Sequence, residues 1–521
     1  MLKKFNQKIT EGFLFTDQYQ LSMAQLFYKN GLHDITAQFD HFFRKYPDYG
    51  SHKAGYCIYA GLEWLVDWMQ NTRITKQDVS FLKKHKNAKG KNLFQDDFLK
   101  WLLKNGNFDS VNLKAISEGR AVHPYEPLTV VTAPLAIAQI LETPLLNQLN
   151  YQTLIATKAA RLKEISRGNV VIEFGARRAQ DRGAIAGVRG ALIGGVDFTS
   201  NVGVSHLFKK SPKGTHAHSM VQLFLSLGYS ELDAFEAFAD LYPDDCILLV
   251  DTIDTLKSGI PNAIKVFEKL IKKGHRPIGI RLDSGDLAFL SIKAAKMLKD
   301  AKLDDIKIVL SNELHELSIW QIISQIVTEA PKDGLDSDKI INRLIFGVGT
   351  NLITSLGCPA LGGVYKLVSI QNKSIWNGTL KISDNLEKST LPGNKQIYRL
   401  YDNFGKATAD LICLADEKLN SFKNFILHHP VEKNIIRRIE KKELSKSEPL
   451  LNYVLKEGKV CYHFPTLDRL REVRNKDLEH LHEGVKRLIN PHQYHVSASE
   501  KLIRYRQKLT ERIKGRYQSN Q

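Results

Sequence analysis

The sequence predicts an α/β protein built around a barrel-like arrangement of parallel strands. Short apolar runs recur between residues 170 and 368, and helix-like stretches such as Glu231–Leu241 and Asn262–Lys273 separate several of them. Short buried strands that alternate with helices are typical of βα units around a parallel sheet or barrel. The number of runs and their spacing favour an irregular barrel.

Helices and short strands are expected before that barrel. Residues 15–30 predict a helix, because Asp17 can cap it and apolar residues recur at helical spacing. Residues 60–105 also have a helical pattern. Residues 111–132 contain short apolar runs broken by turn residues and predict strands, whereas 135–165 predict long helices.

Eight runs are predicted as strands of the central region, and polar or glycine residues lie at the ends of seven. The runs are Val170–Phe174, Ala191–Val196, His216–Val221, Cys246–Val250, Pro277–Arg281, Ile306–Leu310, Leu344–Val348 and Val364–Val368. The residues in or directly after them are Arg177, Arg178, Asp197, His216, His218, Asp251, Asp254, Arg281, Asp283, Asp286, Ser311, Asn312, Gly347, Gly349 and Thr350. In α/β barrels the carboxyl ends of the strands carry the chemistry, so this pattern predicts an enzyme.

Composition limits the class of protein without identifying it. The 521 residues are 43% hydrophobic and 25% charged, which is typical of globular proteins. The net charge of +18 favours polyanionic partners: nucleic acid, anionic lipid or phosphorylated small molecules. Three features predict a cytoplasmic location. The five cysteines are widely spaced, the basic N-terminus has no apolar signal-peptide region, and no apolar stretch is long enough to span a membrane.

The segment Arg281–Asp286 (RLDSGD) is the sharpest motif. An arginine beside two carboxylates at a strand end can bind an anion, while the carboxylates bind ribose hydroxyls or Mg²⁺. A salt-bridged turn, in which Arg281 pairs with Asp283 or Asp286, explains the same residues equally well.

Two glycine-rich turns could bind phosphate through exposed backbone N–H groups: Gly347–Thr350 and Leu361–Val364. Neither is a P-loop or a GxGxxG dinucleotide motif, so each taken alone is better explained as a tight turn.

The segment Gly214–Ser219 (GTHAHS) contains two histidines without a recognisable metal-binding spacing. Imidazole is suited to act as a base or nucleophile near neutral pH, and Asp251 could orient His218 by a hydrogen bond. For His216 we favour a core histidine.

The C-terminal residues 417–521 hold 23 basic and 13 acidic residues and include two charged, helix-compatible stretches, Glu432–Lys446 and Lys501–Lys514. A nucleic-acid-binding protein is therefore one alternative. The tail has no regular aromatic platform and no zinc-finger, RNP or KH signature.

Taken together, these motifs resemble the nicotinate phosphoribosyltransferase family. The matching stretches span nearly the whole chain in order: Thr16–Met23, Phe42–Arg44, Glu173–Gln180, Gly194–Asp197, Gly214–Ser219, Leu249–Thr255, Ile280–Leu287, Gly347–Thr350, Leu361–Val368, Asn490–Val496 and Ser497–Leu502.

The resemblance implies a type II phosphoribosyltransferase fold, an irregular α/β barrel with a second α+β domain built from both chain ends. The expected limits are 1–135 completed by about 360–415, a barrel over 136–359, and a basic, mostly helical region over 416–521. It also implies a homodimer in which the segment around Tyr19 completes the active site of the neighbouring subunit.

The implied reaction is ATP-coupled synthesis of nicotinate mononucleotide from nicotinate and 5-phosphoribosyl 1-pyrophosphate (PRPP), the first step of NAD synthesis from nicotinate. Mg²⁺ is the expected cofactor, and the metal ligands are left unassigned. The resemblance assigns the catalytic residues His218 (as a phosphohistidine), Asp251 and Asp283. For nicotinate it assigns Tyr19, Thr215, Arg281 and Asp197. For PRPP and its phosphates it assigns Arg44, Arg177, Gly349, Thr350, Gly362 and Gly363.

Three positions depart from the family pattern: Ile253 replaces a common aromatic residue, His216 is additional, and 326–343 looks like an insertion. The near alternative is a nicotinamide phosphoribosyltransferase. Asp197 keeps this alternative open, because a carboxylate near the pyridine would accept an amide N–H and repel nicotinate, whereas the GTHAHS and C-terminal matches are to the nicotinate enzymes. We expect small-molecule substrates, and neither nucleic acid nor a membrane, as partners.

Overall fold

The computed structural model describes residues 10–382 and 390–518, so most of the basic N-terminus lies outside the described residues. The chain divides into two units. Met1–Leu154 and Ala360–Gln521 form one, here called the terminal unit. Ile155–Pro359 form the other, the barrel unit.

The N-terminal part of the terminal unit contains helices and short strands in the predicted order. They are α1 (Gln18–Lys29), β1 (Thr36–Phe42), β2 (Cys57–Ile58), α2 (Leu62–Asn71), α3 (Lys76–Lys84), α4 (Asp96–Asn105), β3 (Asn112–Ala115), β4 (Ala121–Val122), β5 (Thr129–Pro134), α5 (Leu135–Ile140) and α6 (Glu142–Ile165), the last of which continues into the barrel unit.

The barrel unit alternates strands with helices. Its elements are β6 (Val170–Glu173), α7 (Asp181–Ile193), β7 (Phe198–Thr199), α8 (Val202–Leu207), α9 (His218–Ser226), α10 (Glu231–Leu241), β8 (Ile247–Leu249), α11 (Ile260–Lys272), β9 (Gly279–Leu282), α12 (Leu287–Asp300), β10 (Lys307–Leu310), α13 (Glu316–Glu329), α14 (Ser337–Ile341), β11 (Leu344–Val348) and α15 (Thr350–Ile353).

The six strands of the barrel unit pair in parallel in the order β7-β6-β11-β10-β9-β8. The strands from β8 to β11 pair in the order in which they occur in the chain. The last strand, β11, then pairs with the first, β6, which also pairs with β7. The two edges of the sheet are β7 and β8, the one sequential pair that is not bonded. The strands thus follow the order of a barrel that is open between β7 and β8, which confirms the predicted α/β class.

The C-terminal part of the terminal unit completes two sheets. Its elements are β12 (Val364–Asn372), β13 (Ile375–Gly378), β14 (Lys395–Asp402), β15 (Ala407–Leu414), β16 (Asn424–His428), β17 (Ile436–Glu440), β18 (Leu444–Pro449), β19 (Asn452–Lys456), β20 (Lys459–Val460), α16 (Leu467–His480), α17 (Glu483–Lys486), β21 (Val496–Ser499) and α18 (Glu500–Gln518). One sheet has the order β13-β12-β1-β5-β3-β19-β20 and joins strands from both ends of the chain; the other has the order β17-β16-β21-β15-β14-β18.

Three predicted barrel strands are wrong. Ala191–Val196 overlaps the end of α7, whose residues 186–193 are all buried, because a short apolar run does not distinguish a buried helix from a buried strand. His216–Val221 overlaps the start of α9. Val364–Val368 is a strand, but β12 pairs antiparallel with β1 in the terminal unit.

The prediction of a mostly helical C-terminal region is also wrong. Residues 432–446 are helix-compatible in sequence, yet β17 and part of β18 lie there, and the described residues from 416 onward form six strands and three α-helices. The side chain of Ile439 in β17 is buried while those of Ile436, Arg438 and Glu440 are exposed, which is the alternation of an edge strand. The second charged stretch, 501–514, is helical as predicted and lies within α18. None of the described helices is both long and apolar enough to cross a membrane.

Candidate active site

The guanidinium of Arg281 is held at the carboxyl end of β9 by three side chains. Its Nε donates to the hydroxyl of Ser311 at 2.8 Å, and one terminal nitrogen donates to the hydroxyl of Thr215 at 3.0 Å. The other terminal nitrogen pairs with Asp283 Oδ1 at 2.7 Å, and Ser311 also donates to that oxygen. The guanidinium lies 5.6 Å from the centre of the Phe174 ring. The ion pair of a salt-bridged turn is therefore present, and it also fixes the orientation of a cation whose side chain remains 16% exposed.

His218 and Asp251 form a hydrogen-bonded pair, as predicted. Nε2 of His218 lies 3.0 Å from Asp251 Oδ1, and the hydroxyl of Ser284 donates to Asp251 Oδ2 at 2.5 Å. The Asp251 side chain is 3% exposed and that of His218 is 37% exposed. Because a carboxylate only accepts, the pair fixes the proton on Nε2 and leaves the lone pair on Nδ1. An exposed, oriented imidazole of this kind can act as a nucleophile or base.

His216 is a core histidine, as the sequence analysis favoured. The backbone N–H of Leu249 in β8 donates to its Nε2 at 3.0 Å, and its ring lies 5.0 Å from that of Phe238. Burial lowers the pKa of His216 to about 4, so the ring is neutral.

Two acidic residues of the predicted pattern are helix caps. Asp254 Oδ1 accepts from the backbone N–H groups of Leu256 and Lys257. Asp286 Oδ1 accepts from two N–H groups in the first turn of α12. Satisfying these N–H groups explains both carboxylates without a ligand.

The structure does not support the predicted place of Asp197. Its Oδ2 pairs with Lys163 at 2.8 Å and accepts from the N–H of Val171 at the beginning of β6. The residue precedes β7, so it lies at the amino ends of the parallel strands, opposite the end that holds Arg281. The error follows from the false strand at Ala191–Val196. The residue at the carboxyl end of β7 is Ser200, which is exposed and which the sequence analysis missed, because a two-residue strand leaves no pattern.

Further predicted phosphate-binding residues follow barrel strands. Arg177 is exposed in a 3₁₀ turn after β6. Gly349 and Thr350 follow β11 directly. The turn after β6 approaches the turn after β11 so closely that a Cβ on Gly175 would lie 2.4 Å from the carbonyl oxygen of Gly349. The barrel unit therefore brings these residues to the same edge as Arg281.

Four predicted residues lie in the terminal unit: Tyr19, Arg44, Gly362 and Gly363. Tyr19 is on α1 and is 51% exposed, and Arg44 follows β1 with its guanidinium 5.5 Å from the Phe42 ring. Gly362 has φ 70°, which favours glycine.

Gly363 packs closely against Asn150. A Cβ on Gly363 would lie 2.1 Å from Asn150 Oδ1. Nδ2 of Asn150 donates to the carbonyl of Gly363 at 3.5 Å, and the buried His41 donates from Nε2 to Asn150 Oδ1 at 3.1 Å. The glycine turn is thus positioned by a side chain of α6.

A cavity of about 490 Å³ lies inside the barrel unit. Apolar side chains of the strands form most of its wall, together with Thr215 and Phe174, which both contact Arg281. Among the residues that the structure describes, one group of three side chains has the spacing of metal ligands: His123, Glu126 and Asp410, all in the terminal unit. Arg399 already pairs with Asp410 at 2.7 Å, so this group does not provide a vacant acidic metal site. The barrel unit therefore offers an oriented cation and an aromatic ring beside an apolar cavity, and an exposed, hydrogen-bonded imidazole at the carboxyl ends of its strands.

Comparison with known proteins gives one consistent result. The family model described as the nicotinate phosphoribosyltransferase N-terminal domain matches residues 14–150, and the model of the C-terminal domain matches 394–506. The chain is 39% identical to nicotinate phosphoribosyltransferase from Bacillus subtilis (strain 168), covering 94% of this chain and 93% of that protein. It is 32% identical to the Caenorhabditis elegans protein of the same name, covering 94% and 92%. The crystal structure of human nicotinic acid phosphoribosyltransferase superposes with a TM-score of 0.76 at 28% identity, covering 95% of this chain and 99% of that one.

Proposed function

The chain belongs to the nicotinate phosphoribosyltransferase family, and on that premise we propose how its residues make nicotinate mononucleotide from nicotinate and PRPP with coupled hydrolysis of ATP. The observation that carries the assignment of roles is the Arg281 guanidinium, fixed by Thr215, Ser311 and Asp283 beside the Phe174 ring.

Nicotinate binds with its carboxylate against Arg281 in this proposal. A planar guanidinium matches a carboxylate in geometry and charge, and an aromatic ring beside it favours a flat pyridine. The hydroxyl of Thr215 already aligns one guanidinium nitrogen and stands at the cavity wall. Tyr19, exposed on α1, would contact the nicotinate bound in the neighbouring subunit.

PRPP binds with its ribose near Asp283 and its phosphates at Gly349, Thr350, Gly362 and Gly363. Loss of pyrophosphate leaves positive charge on the ribose, which a carboxylate stabilises, while arginines and backbone N–H groups stabilise the leaving phosphates. Arg177 and Arg44 are the arginines that we assign to those phosphates. The nicotinate ring nitrogen then bonds to the anomeric carbon as the bond to pyrophosphate breaks.

ATP phosphorylates His218 in this mechanism. Nδ1 attacks the γ-phosphorus, a nitrogen–phosphorus bond forms, and ADP leaves. Asp251 accepts the hydrogen bond from Nε2 and stabilises the charge that develops on the ring. Hydrolysis of the phosphohistidine returns the ring to its initial state.

Mg²⁺ is the proposed cofactor. Mg²⁺ prefers carboxylate and phosphate oxygens as ligands, and when bound it would neutralise negative charge on the phosphates. The described hydrogen bonds of Asp283 use Oδ1, so Oδ2 would be the protein ligand, with substrate oxygens completing the shell.

We also propose a homodimer with shared active sites. Large apolar side chains are exposed on α9, on α10 and directly after these helices: Leu223, Leu225, Leu227, Tyr229, Leu241 and Tyr242. Leu26 is exposed near Tyr19 on α1. Several exposed apolar side chains on two helices that pack together are typical of an interface between subunits. A cytoplasmic location is consistent with the free cysteines.

The test of function is a comparison of nicotinate and nicotinamide as substrates with PRPP and ATP. We expect strong preference for nicotinate, because Arg281 requires a negative group and Asp197, the residue that kept the nicotinamide alternative open, pairs with Lys163. Preference for nicotinamide would contradict the assignment of Arg281. Steeply salt-dependent binding of nucleic acid would favour the alternative based on the basic tail.

A further inference from the structure

The C-terminal part of the terminal unit contains a pocket of about 360 Å³ that is separate from the proposed reaction. The beginning of β15, one residue of β17 and the segment 482–495 form its wall, and none of its lining residues is assigned to nicotinate, PRPP or ATP. The volume is near the lower end of the range for small-molecule sites.

The lining side chains that can carry charge are all basic. None of the described lining residues is an aspartate or a glutamate. Two carboxylates beside the pocket already have partners: Asp402 lies 3.7 Å from His482, and the exposed Glu483 pairs with Lys486 at 2.8 Å. The pocket therefore has the charge of an anion site. Its basic lining residues are Arg437, His482, Arg487, His492 and His495.

Arg437 is half-buried on β17 and is held by neutral oxygens. One terminal nitrogen donates to the carbonyl of Thr408 at 2.9 Å, and the other donates to the hydroxyl of Thr408 at 2.8 Å. Within the part of the chain that the structure describes, neither Arg437 nor Arg487 forms an ion pair with a carboxylate. Bonds to neutral acceptors leave the charge of Arg437 uncompensated and leave further N–H groups for a ligand.

A close approach of two chain segments places Arg487 beside His492. The backbone N–H of His492 donates to the carbonyl of Gly484 at 2.7 Å. A Cβ on Gly484 would lie 3.3 Å from Cβ of His492 and 4.0 Å from the guanidinium carbon of Arg487. Glycine at this position therefore leaves open the space beside both basic side chains.

His495 extends this group of basic side chains to Arg437. The rings of His492 and His495 lie 6.2 Å apart. Partial burial lowers the pKa of His495, and Arg437 on β17, His492 on the same segment and His429 after β16 lower it further. These neighbours disfavour a proton on the ring because their own charge is positive, and a bound anion would offset that charge. Arg487, His492, His495 and Arg437 thus form a row, here called the basic row.

We propose that the basic row binds a small molecule with two or more linked phosphate groups, at a site other than that of the reactants. A guanidinium at each end matches phosphate oxygens in geometry and charge, and the two imidazoles can donate to oxygens between them. Four basic groups in a row match several negative charges better than one, so a single phosphate should bind more weakly.

The test is calorimetric titration of the full chain with inorganic tripolyphosphate and, for comparison, with orthophosphate. Arg487→Gln and Arg437→Gln each remove one guanidinium. Arg487 has no described partner to lose, so its variant should remain folded. Arg438→Gln is the matched control, because it removes the same charge from the next residue of β17, whose exposed side chain is on the opposite face of the strand.

We expect tripolyphosphate to bind wild type, to bind Arg487→Gln and Arg437→Gln about tenfold or more weakly, and to bind Arg438→Gln as it binds wild type. We expect orthophosphate to bind wild type more weakly than tripolyphosphate. The proposed PRPP site could also bind the probe, so Arg177→Gln is included as a variant of that site. Binding that persists in Arg438→Gln and Arg177→Gln and weakens in the two variants of the basic row supports the proposal.

Four results would overturn it. Tripolyphosphate does not bind wild type, or orthophosphate binds as tightly. Arg438→Gln weakens binding as much as Arg487→Gln, which indicates general attraction to a basic surface. Binding is lost in Arg177→Gln but unchanged in Arg487→Gln, which places the probe at the proposed PRPP site. The KM for PRPP rises about tenfold in Arg487→Gln, which makes the pocket part of the substrate site and leaves the proposed reaction standing.

Discussion

Acidification should destabilise the barrel unit through His216, and the effect can be worked from the structure. His216 is 8% exposed, and its Nε2 accepts from the N–H of Leu249, so protonation both charges a buried ring and removes the acceptor. Burial lowers its pKa to about 4, against 6.5 for an unperturbed histidine. The unfolded chain therefore binds a proton between these two pH values that the folded chain does not bind. The stability from this residue is complete above pH 6.5 and is lost as the pH falls toward 4, by about 1.4 kcal/mol per pH unit and about 3 kcal/mol in all.

The assay is urea unfolding, followed by circular dichroism at several pH values between 7 and 4, of wild type and His216→Gln. The glutamine Oε1 can accept from Leu249 but cannot be protonated in this range. The variant should be about 1 kcal/mol less stable than wild type at pH 7 through imperfect packing, should equal it at about pH 6 and should be the more stable protein at about pH 4.5. The buried His41 and His123 act in the same direction in both proteins, so they cancel in the difference. Stability curves that stay parallel from pH 7 to pH 4 would refute the assignment.

Three further predictions concern the proposed reaction. His218→Ala should abolish the stimulation by ATP and leave slow ATP-independent synthesis, since it removes the phosphate acceptor; ATP stimulation that persists would contradict the phosphohistidine. Arg281→Lys should raise the KM for nicotinate roughly 10- to 100-fold, because it loses two charge-assisted hydrogen bonds worth about 1.5–3 kcal/mol, with the KM for PRPP as the internal control. Gly363→Ala should raise the KM for PRPP by displacing Asn150. Adding Asn150→Ala should bring this KM part of the way back to the wild-type value, because it removes the clashing oxygen. Additive effects of these two changes would show that Asn150 does not position the turn.

The strands with strong local patterns could be predicted from the sequence, and the short ones could not. β8 to β11 are apolar runs followed by polar residues, so Asp251, Arg281 and Ser311 were found at strand ends. β7 has two residues, and the buried helix α7 before it resembles a strand, so Asp197 was assigned to the wrong end.

The partners within the site depend on strand order. Ser284 bonds to Asp251 and Ser311 bonds to Arg281 because β8, β9 and β10 are neighbours in space. No spacing in the sequence states which strands are adjacent, and hydrogen bonds across them follow only from the folded sheet. The pairing of His218 with Asp251 could be anticipated, since an exposed imidazole in a catalytic role needs an acceptor to fix its proton.

The joining of the two chain ends in one sheet has a consequence for synthesis on the ribosome. β3 pairs with β19, and Arg120 pairs with Glu448 and Asp477, more than three hundred residues further along the chain. At roughly 5–20 residues per second, the N-terminal strands wait tens of seconds for their partners, while all six strands of the barrel unit emerge earlier. The barrel unit can therefore complete its sheet before the terminal unit closes. Until residue 452 has emerged, the edge of β3 that pairs with β19 is open to pairing with other nascent chains. Ribosomal pausing within the barrel segment would lengthen the time for which this edge is exposed.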